Sequence, residues 1–369
     1  MKFEIKNTTI KDYLKRLSIS VQSVSSRIEF TGILITVDNS SITFEGRNDW
    51  MDTRIVETNI SNIKIIEPGK VLIKASMINE IVQGMEGEII TFAKVDSNII
   101  VIKDNNSNYK MNLLDDEKYE KANFLLDMKE KINIPSRIFR DSIQKTIFAG
   151  DDFHVKFVYQ GLNLKIENNK ITSTVTDSKR VAFISLNINS DQKINKIIPL
   201  RVARELIKIL PNVSEYKLSF NHSMGVIISN NMINQFSLIE GTFPNFSKFF
   251  EEKAYNKKLS IKKEILEKAI NRVTIMNRSS EDARIEITIE NNKFTIESKE
   301  IEIGSAKIEV ENFNYDGDKI KFSISPRFLS SGLKKSESKK IELLMKSAQD
   351  IIILNSKDDN FKYLISPMI

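Results

Sequence analysis

Apolar positions along this chain recur at two spacings. In some stretches they fall at i, i+3, i+4 and i+7, the stripe of an amphipathic helix; between those stretches they alternate with polar residues, as in half-buried strands. Ile10, Tyr13, Leu14 and Leu17 form the first helical stripe, with Thr8-Thr9 ahead of it as expected caps. Phe139, Ile143 and Ile147 form a second, opened by Pro135-Ser136. Ile265, Leu266, Ala269, Ile270 and Val273 form a third, after Ser260. Each lies about 125 residues beyond the last, the signature of a tandem repeat.

A second set of stripes falls midway through each repeat. Met77, Ile78, Ile81 and Val82 make one; Val202, Leu206, Ile209 and Leu210 make another, bounded by Pro199 and Pro211. Phe328, Leu329 and Leu333 follow Ser325-Pro326. Strand-like runs lie between them: Ile42 to Phe44, Ile99 to Ile102, Leu162 to Ile166, Ile285 to Ile289 and Phe294 to Ile296. Asp38-Asn39, Asn168-Asn169 and Asn291-Asn292 punctuate these runs as turns. Each repeat thus reads strand, helix, several strands, helix, several strands. The fold class is α+β: three tandem similar domains, each two helices packed on antiparallel sheet. The joins fall near 122–130 and 248–258, dividing the chain into 1–125, 126–252 and 253–369.

Composition narrows the function. Among 369 residues there is no cysteine, so neither a disulfide framework nor a thiolate metal site or nucleophile is available. With only two histidines, His154 and His222, a histidine-based triad or metal site has little to draw on. No G-x-x-x-x-G-K-[ST] or G-x-G-x-x-G run occurs. The acidic runs Asp115-Asp116-Glu117 and Glu251-Glu252 read as solvated loops, and Asp177, the best lone carboxylate, has no partner at a telling spacing. No catalysis, metal or cofactor is expected. The apolar runs are strand-sized rather than membrane-spanning, and Met1 to Lys6 alternates like a strand instead of a signal peptide, so a cytoplasmic protein is expected.

The formal charge of +6 says less than its placement. Lys11 and Lys15 sit one turn apart beside Arg16; Arg137 and Arg140 share a face; so do Arg201, Arg204 and Lys208. Lys268 and Arg272 pair at i+4 behind Lys262 and Lys263, and Arg327, Lys334 and Lys335 mark the last helix. One basic face alone is ordinary solvated surface. Repetition on five of the six helices points instead to a shared lining. Three repeats set around an axis with helices inward would line a hole with positive charge, attracting duplex DNA through its phosphates without reading sequence.

Several stretches resemble, in order, the bacterial DNA polymerase III beta subunits, the sliding-clamp family. They are Val24-Ser25-Ser26-Arg27 with Thr31 to Ile35, Lys145 to Ala149, and Leu238 to Asn245 with its Gly-x-Phe-Pro turn. The most specific is Val175-Thr176-Asp177-Ser178-Lys179-Arg180-Val181-Ala182, like the family's A-T-D-x-H-R-L-A, and the ending Tyr363 to Ile369 carries the family's terminal proline. The resemblance covers the whole chain. Lys179 stands where histidine is usual, Lys248 where arginine is common and Ser366 where the family is apolar, and the segment before Gly32 is short; these departures bear on peptide specificity.

The resemblance implies a non-catalytic accessory subunit of a DNA-directed DNA polymerase, working as a head-to-tail homodimer closed into a six-domain ring. Its partners would be double-stranded DNA, the replicative polymerase alpha subunit, the clamp loader and other proteins bearing clamp-binding motifs, with no membrane partner. DNA contacts are expected from Lys11, Lys15, Arg27, Arg137, Arg140, Arg201, Arg204, Lys208, Lys268 and Arg272. A partner-peptide cleft is expected at Tyr159, Thr176, Ser178, Lys179, Arg180, Val181, Pro244, Lys248, Phe328, Leu364, Ile365, Ser366, Pro367 and Met368. The ring seam would set Tyr109 against Ile275 and Met276 of a second copy, supplemented by Glu297, Glu300 and Glu302 facing Lys103 or Lys110. The alternative reading of the same basic faces is a sequence-independent nucleic-acid-binding scaffold that never closes into a ring.

Overall fold

The computed structural model describes residues 1–22, 24–128, 130–277, 283–300 and 303–368, with Met276 and Asn277 followed along the backbone alone. Each of the six helical stripes forms a helix: α1 (Asn7–Leu17), α2 (Ala75–Gly84), α3 (Ser136–Gln144), α4 (Leu200–Ile209), α5 (Lys263–Val273) and α6 (Pro326–Lys335). Their apolar stripes are buried, as Ile10, Leu14 and Leu17 on α1 and Val202, Leu206 and Ile209 on α4 illustrate. All five of the strand-like runs lie within strands.

Three local expectations are corrected. Thr8-Thr9 do not cap α1: the chain passes from the strand Lys2–Lys6 directly into the helix at Asn7, and the capping position, Lys6, makes no side-chain cap. The Asn7 amide instead donates to the Met85 and Gly87 carbonyls, at 3.0 and 2.6 Å, holding the loop that follows α2. Ile147 lies beyond α3, which stops at Gln144. There the Ser142 and Thr146 hydroxyls bond the Phe139 and Ser142 carbonyls at 2.7 and 2.9 Å, and such back-bonding competes with helix continuation. Met77 is not on the buried stripe of α2 but 46% exposed.

The asparagine turns obey their chemistry. Asn168 and Asn169 (φ 51° and 58°) and Asn291 and Asn292 (φ 49° and 57°) take the paired left-handed conformation of tight hairpins, which suits asparagine better than most residues. Asp38-Asn39 closes its hairpin without a positive φ at either residue, through a 3.0 Å bond from the Asp38 amide to the Ser41 carbonyl.

The described chain forms two compact units, residues 1–137 with 201–238, and residues 138–200 with 239–369. In the first unit a five-stranded sheet runs in the order Ile63–Glu67, Lys2–Lys6, Ile89–Lys94, Ile99–Lys103, Asn108–Asn112. An eight-stranded sheet in the same unit joins strands on either side of the expected 122–130 join, with Met232–Ser237 antiparallel to Met51–Glu57 and Phe236 opposite Met51. In the second unit a nine-stranded sheet does the same across the 248–258 join: Arg180–Asn187 pairs with Phe361–Ile365. A four-stranded sheet completes that unit, ending on the strand Gly304–Val310. The core of each unit lies between its helices and sheets, as with Phe3 stacked on Phe92 at 4.9 Å in the first and Tyr363 buried beneath α6 in the second. Gly332 of α6 leaves the room that the Tyr363 ring occupies; a methyl group there would overlap it.

Candidate partner cleft and basic helix faces

The cleft residues gather where the two strands meet in the second unit. Thr176 ends the strand Lys170–Thr176; its hydroxyl donates to the Arg180 carbonyl (2.7 Å) and accepts from the Ser178 amide (3.0 Å). Ser178 sits at φ 71°, so the tight turn turns on this short side chain. Asp177, which had no evident partner in sequence, bonds the Arg180 guanidinium (2.8 Å) and the Lys179 and Arg180 amides (3.0 Å each). Arg180 then lies over the Phe328 ring at 4.4 Å and near Phe148 at 5.8 Å. Burial works against its charge, but the Tyr363 hydroxyl and Asp177 outweigh it and hold Arg180 above the usual guanidinium range. Burial pushes the Tyr363 hydroxyl well up, so it stays protonated.

Strand register decides which cleft residues share a face. Val181 pairs with Leu364, and both join an apolar cluster with Leu344 and Ile353, against which Phe246 and Phe250 pack. Arg180 pairs with Ile365, which lies on the opposite face of its strand from Leu364. Thr176, Leu364 and Ile365 are buried, whereas Ser178, Lys179, Pro244 and Lys248 are exposed and Tyr159, Phe328, Ser366, Pro367 and Met368 are half-buried. The terminal segment is pinned by backbone bonds from Ser366 to Lys179 (2.9 Å) and from Met368 to Ser323 (2.8 Å); Ile369 lies outside the described residues.

An aromatic row beside these residues was not singled out in the sequence. His154 packs on Tyr159 at 4.9 Å, and Tyr159, Phe243, Phe246 and Phe249 follow at centroid spacings of 6.1, 6.2 and 6.3 Å. The His154 Nδ1 accepts from the Lys156 amide (3.0 Å), leaving the ring proton on Nε2, 3.4 Å from the Ser178 hydroxyl. Phe153 and Val155 stand 91% and 96% exposed on the same loop. The phenylalanines at 243, 246, 249 and 250 fall at helix-like spacings of three and four, a pattern that reads as a buried stripe and so did not mark them as a surface; only the last of them lie in a short 3-10 turn, Ser247–Phe250. A row of partly exposed aromatic rings close to Ser178 and Arg180 suits anchoring side chains of an extended peptide.

The basic residues divide by what holds them. In the first unit Lys11 donates to the Met85 carbonyl (2.7 Å), Arg16 bonds Asp12 (2.7 Å) and the Ile209 carbonyl (2.7 Å), and Lys15 and Lys208 are exposed. Arg27 and Arg201, from separate repeats, line one polar cavity of about 950 Å³ with Ser18, Gln22 and Asn48. Arg27 reaches Glu120 at 3.4 Å and Arg201 reaches Glu205 at 3.4 Å. Arg204 of α4 is half-buried; on α3, Arg137 is exposed and Arg140 half-buried. In the second unit Lys268 pairs with Glu264 on α5, where Arg272 is exposed.

At the expected seam, Tyr109 is 39% exposed on the edge strand Asn108–Asn112 and Ile275 is 62% exposed in the turn after α5. The Met276 side chain and Glu302 lie outside the described residues. Glu297 is already bonded to Lys307 at 2.7 Å, which holds its carboxyl below the usual range, so it is not a spare acid for a partner's lysine. Among the described residues no helix is long and apolar enough to cross a membrane.

Helix-on-sheet repeats bearing basic faces, and in the second unit an aromatic row next to Arg180 and Phe328, have the features of a binding protein. Three family models match in order: the DNA polymerase III beta subunit N-terminal domain over residues 1–123, the central domain over 133–245 and the C-terminal domain over 252–369. The chain therefore belongs to the DNA polymerase III beta subunit family. It is 27% identical to the beta sliding clamp of Mycoplasma capricolum, covering 100% of this chain and 99% of that protein, and 22% identical to that of Bacillus subtilis with the same coverage. The solved DNA polymerase III beta chain of Streptococcus pneumoniae superposes with a TM-score of 0.94 at 19% identity, covering 100% of this chain and 99% of that one. The Bacillus subtilis DNA polymerase sliding clamp does so with 0.92 at 20% identity and the same coverage.

Proposed function

We propose that the chain is the non-catalytic processivity clamp of a replicative DNA polymerase, acting in the cytoplasm. Two copies, each divided at 1–125, 126–252 and 253–369, join head to tail into a ring around duplex DNA. The helix residues Lys11, Lys15, Arg137, Arg140, Arg201, Arg204, Lys208, Lys268 and Arg272, with Arg27 from its loop, face the phosphates. The groove around Arg180, Val181, Phe328 and the 364–368 segment takes short peptides from the polymerase alpha subunit, the clamp loader and other clamp-binding proteins.

The observation that carries this reading is the ordered match of all three clamp domains, joined to basic faces with no base-reading motif. Contacts to phosphates alone hold DNA with dissociation constants of roughly 10⁻⁴ to 10⁻⁶ M at physiological salt, so retention has to come from topology. Loading on circular DNA followed by linearisation tests it. The protein is expected to stay on the closed circle and leave once ends are cut; persistence on free-ended DNA refutes the ring and favours the open scaffold.

A further inference from the structure

At the end of α3 lies a cluster of charged and hydroxyl groups that none of the sites above uses. We propose that Lys145 is a positioning residue for the partner cleft: it ties the end of α3 to the hairpin leading into the last strand, and so sets the two walls of the cleft against each other without itself touching a peptide. The proposal deepens the cleft reading and rests on it. The cleft draws its walls from two repeats, Thr176 to Val181 from the second and Leu364 to Met368 from the third, so its shape depends on how those segments are held together. Lys145, 11% exposed, belongs to the second repeat; Glu337 and Asp359, whose carboxylates its ammonium bonds at 2.9 and 2.7 Å, belong to the third.

The third-repeat side of this tie is itself braced. The Asp359 oxygen that receives Lys145 also accepts from the Glu337 amide (3.0 Å), and the Ser356 hydroxyl bonds its other oxygen. Ser356 meets the buried Ser336 and Ser338 hydroxyls at 2.7 and 2.8 Å. The turn holding Asp359, with Asn360 at φ 52°, feeds directly into the strand Phe361–Ile365. Three residues after Lys145, Phe148 carries the constraint to the cleft. Its ring lies 5.2 Å from Tyr363 and 6.4 Å from Phe361, which share one face of that strand with Ile365. Arg180 pairs with Ile365, and its guanidinium lies 5.8 Å from the Phe148 ring and 4.4 Å from that of Phe328. A run of packed rings thus joins the ion cluster to Arg180 and Phe328. Groups that bind a ligand need support from residues behind them, and a wall displaced by about 1 Å is enough to loosen a site.

Stability and positioning separate in a double variant. Binding of a fluorescein-labelled clamp-binding peptide from the polymerase alpha subunit to the full-length chain is followed by anisotropy at pH 7, below the melting temperature, for wild type, Lys145→Met and Lys145→Met/Asp359→Asn, with the thermal melting of each. Lys145→Met strands a buried carboxylate and is expected to melt earliest; the double variant leaves no buried charge unpaired and is expected to recover much of that loss. Affinity is expected to behave differently, falling at least about tenfold in Lys145→Met and staying down in the double variant, because both lack the tie between the repeats. Affinity that returns with stability in the double variant overturns the proposal, since Lys145 then serves the fold alone. So does wild-type affinity in both variants. Should Lys145→Met fail to fold, the double variant against wild type decides by the same criterion. If wild type itself does not bind the peptide, the cleft reading fails and the role of Lys145 falls with it.

Discussion

Lys145 shows how much one buried charge can hold together. It is 11% exposed at the end of α3, and its ammonium bonds Asp359 at 2.7 Å and Glu337 at 2.9 Å. Burial alone would lower its pKa, but the two carboxylates outweigh burial and raise it. For Asp359, burial pushes upward, while the bonds from Lys145 and Ser356 prevail and hold the carboxyl low. A raised lysine contributes stability in full below its unfolded value of about 10.4 and loses it as pH climbs through the folded value. A depressed aspartate contributes above about 3.9 and loses it as pH falls through its folded value. Both contributions are therefore intact at neutral pH. Lys145→Met strands the buried Asp359 carboxylate and is expected to cost about 3 kcal/mol at pH 7. The deficit shrinks near pH 4, where the stranded acid takes a proton; urea unfolding at both pH values checks it, and equal deficits would mean the pair is not what matters. In sequence Lys145 was one residue of a family-like stretch, because its partners lie some two hundred positions away.

At the scale of elements, the open question is what the free edges do. The five-stranded sheet ends on Asn108–Asn112 and the four-stranded sheet on Gly304–Val310, each with one side lacking a strand partner among the described residues. Unpaired edges invite pairing with another chain, and a ring built by joining such edges leaves none open. If that seam holds Tyr109 and Ile275, the double variant Tyr109→Glu/Ile275→Glu buries two charges in it. The dimer dissociation constant should then rise at least about tenfold, roughly 1.4 kcal/mol, by sedimentation at low micromolar concentration. An unchanged constant would move the seam elsewhere. The helices and strands behind these edges were legible because burial of one face imposes a period on the sequence. Helix ends were less so. Asn7 acts through a bond to backbone 78 positions away, and Thr146 through a local hydroxyl-to-carbonyl bond that the apolar period does not register.

For the molecule as a whole, the clamp reading makes binding a property of charge and topology rather than of base contacts. Duplexes of unrelated sequence should bind with equal constants at matched salt, and those constants should fall linearly with salt on logarithmic axes. A preference of more than about tenfold, about 1.4 kcal/mol, for one sequence would point to base readout and overturn the sequence-independent reading. The basic faces were visible in sequence because lysine and arginine fell off the apolar stripes of successive helices. Their inequality was not: Lys268 and Arg201 spend charge on local carboxylates, whereas Lys15 and Lys208 stand exposed.

The chain's own order of residues determined the repeat, the six helices, the strand runs and the family, since each depends on periodicities and short motifs local to the sequence. Tertiary structure alone decided that sheets run on across the expected joins, that Val181 shares a face with Leu364 while Arg180 pairs with Ile365, and that aromatic residues from separate loops align beside them. These depend on strand pairing between residues far apart in the chain, and pairing register is set by which surfaces bury each other, a choice no single segment carries.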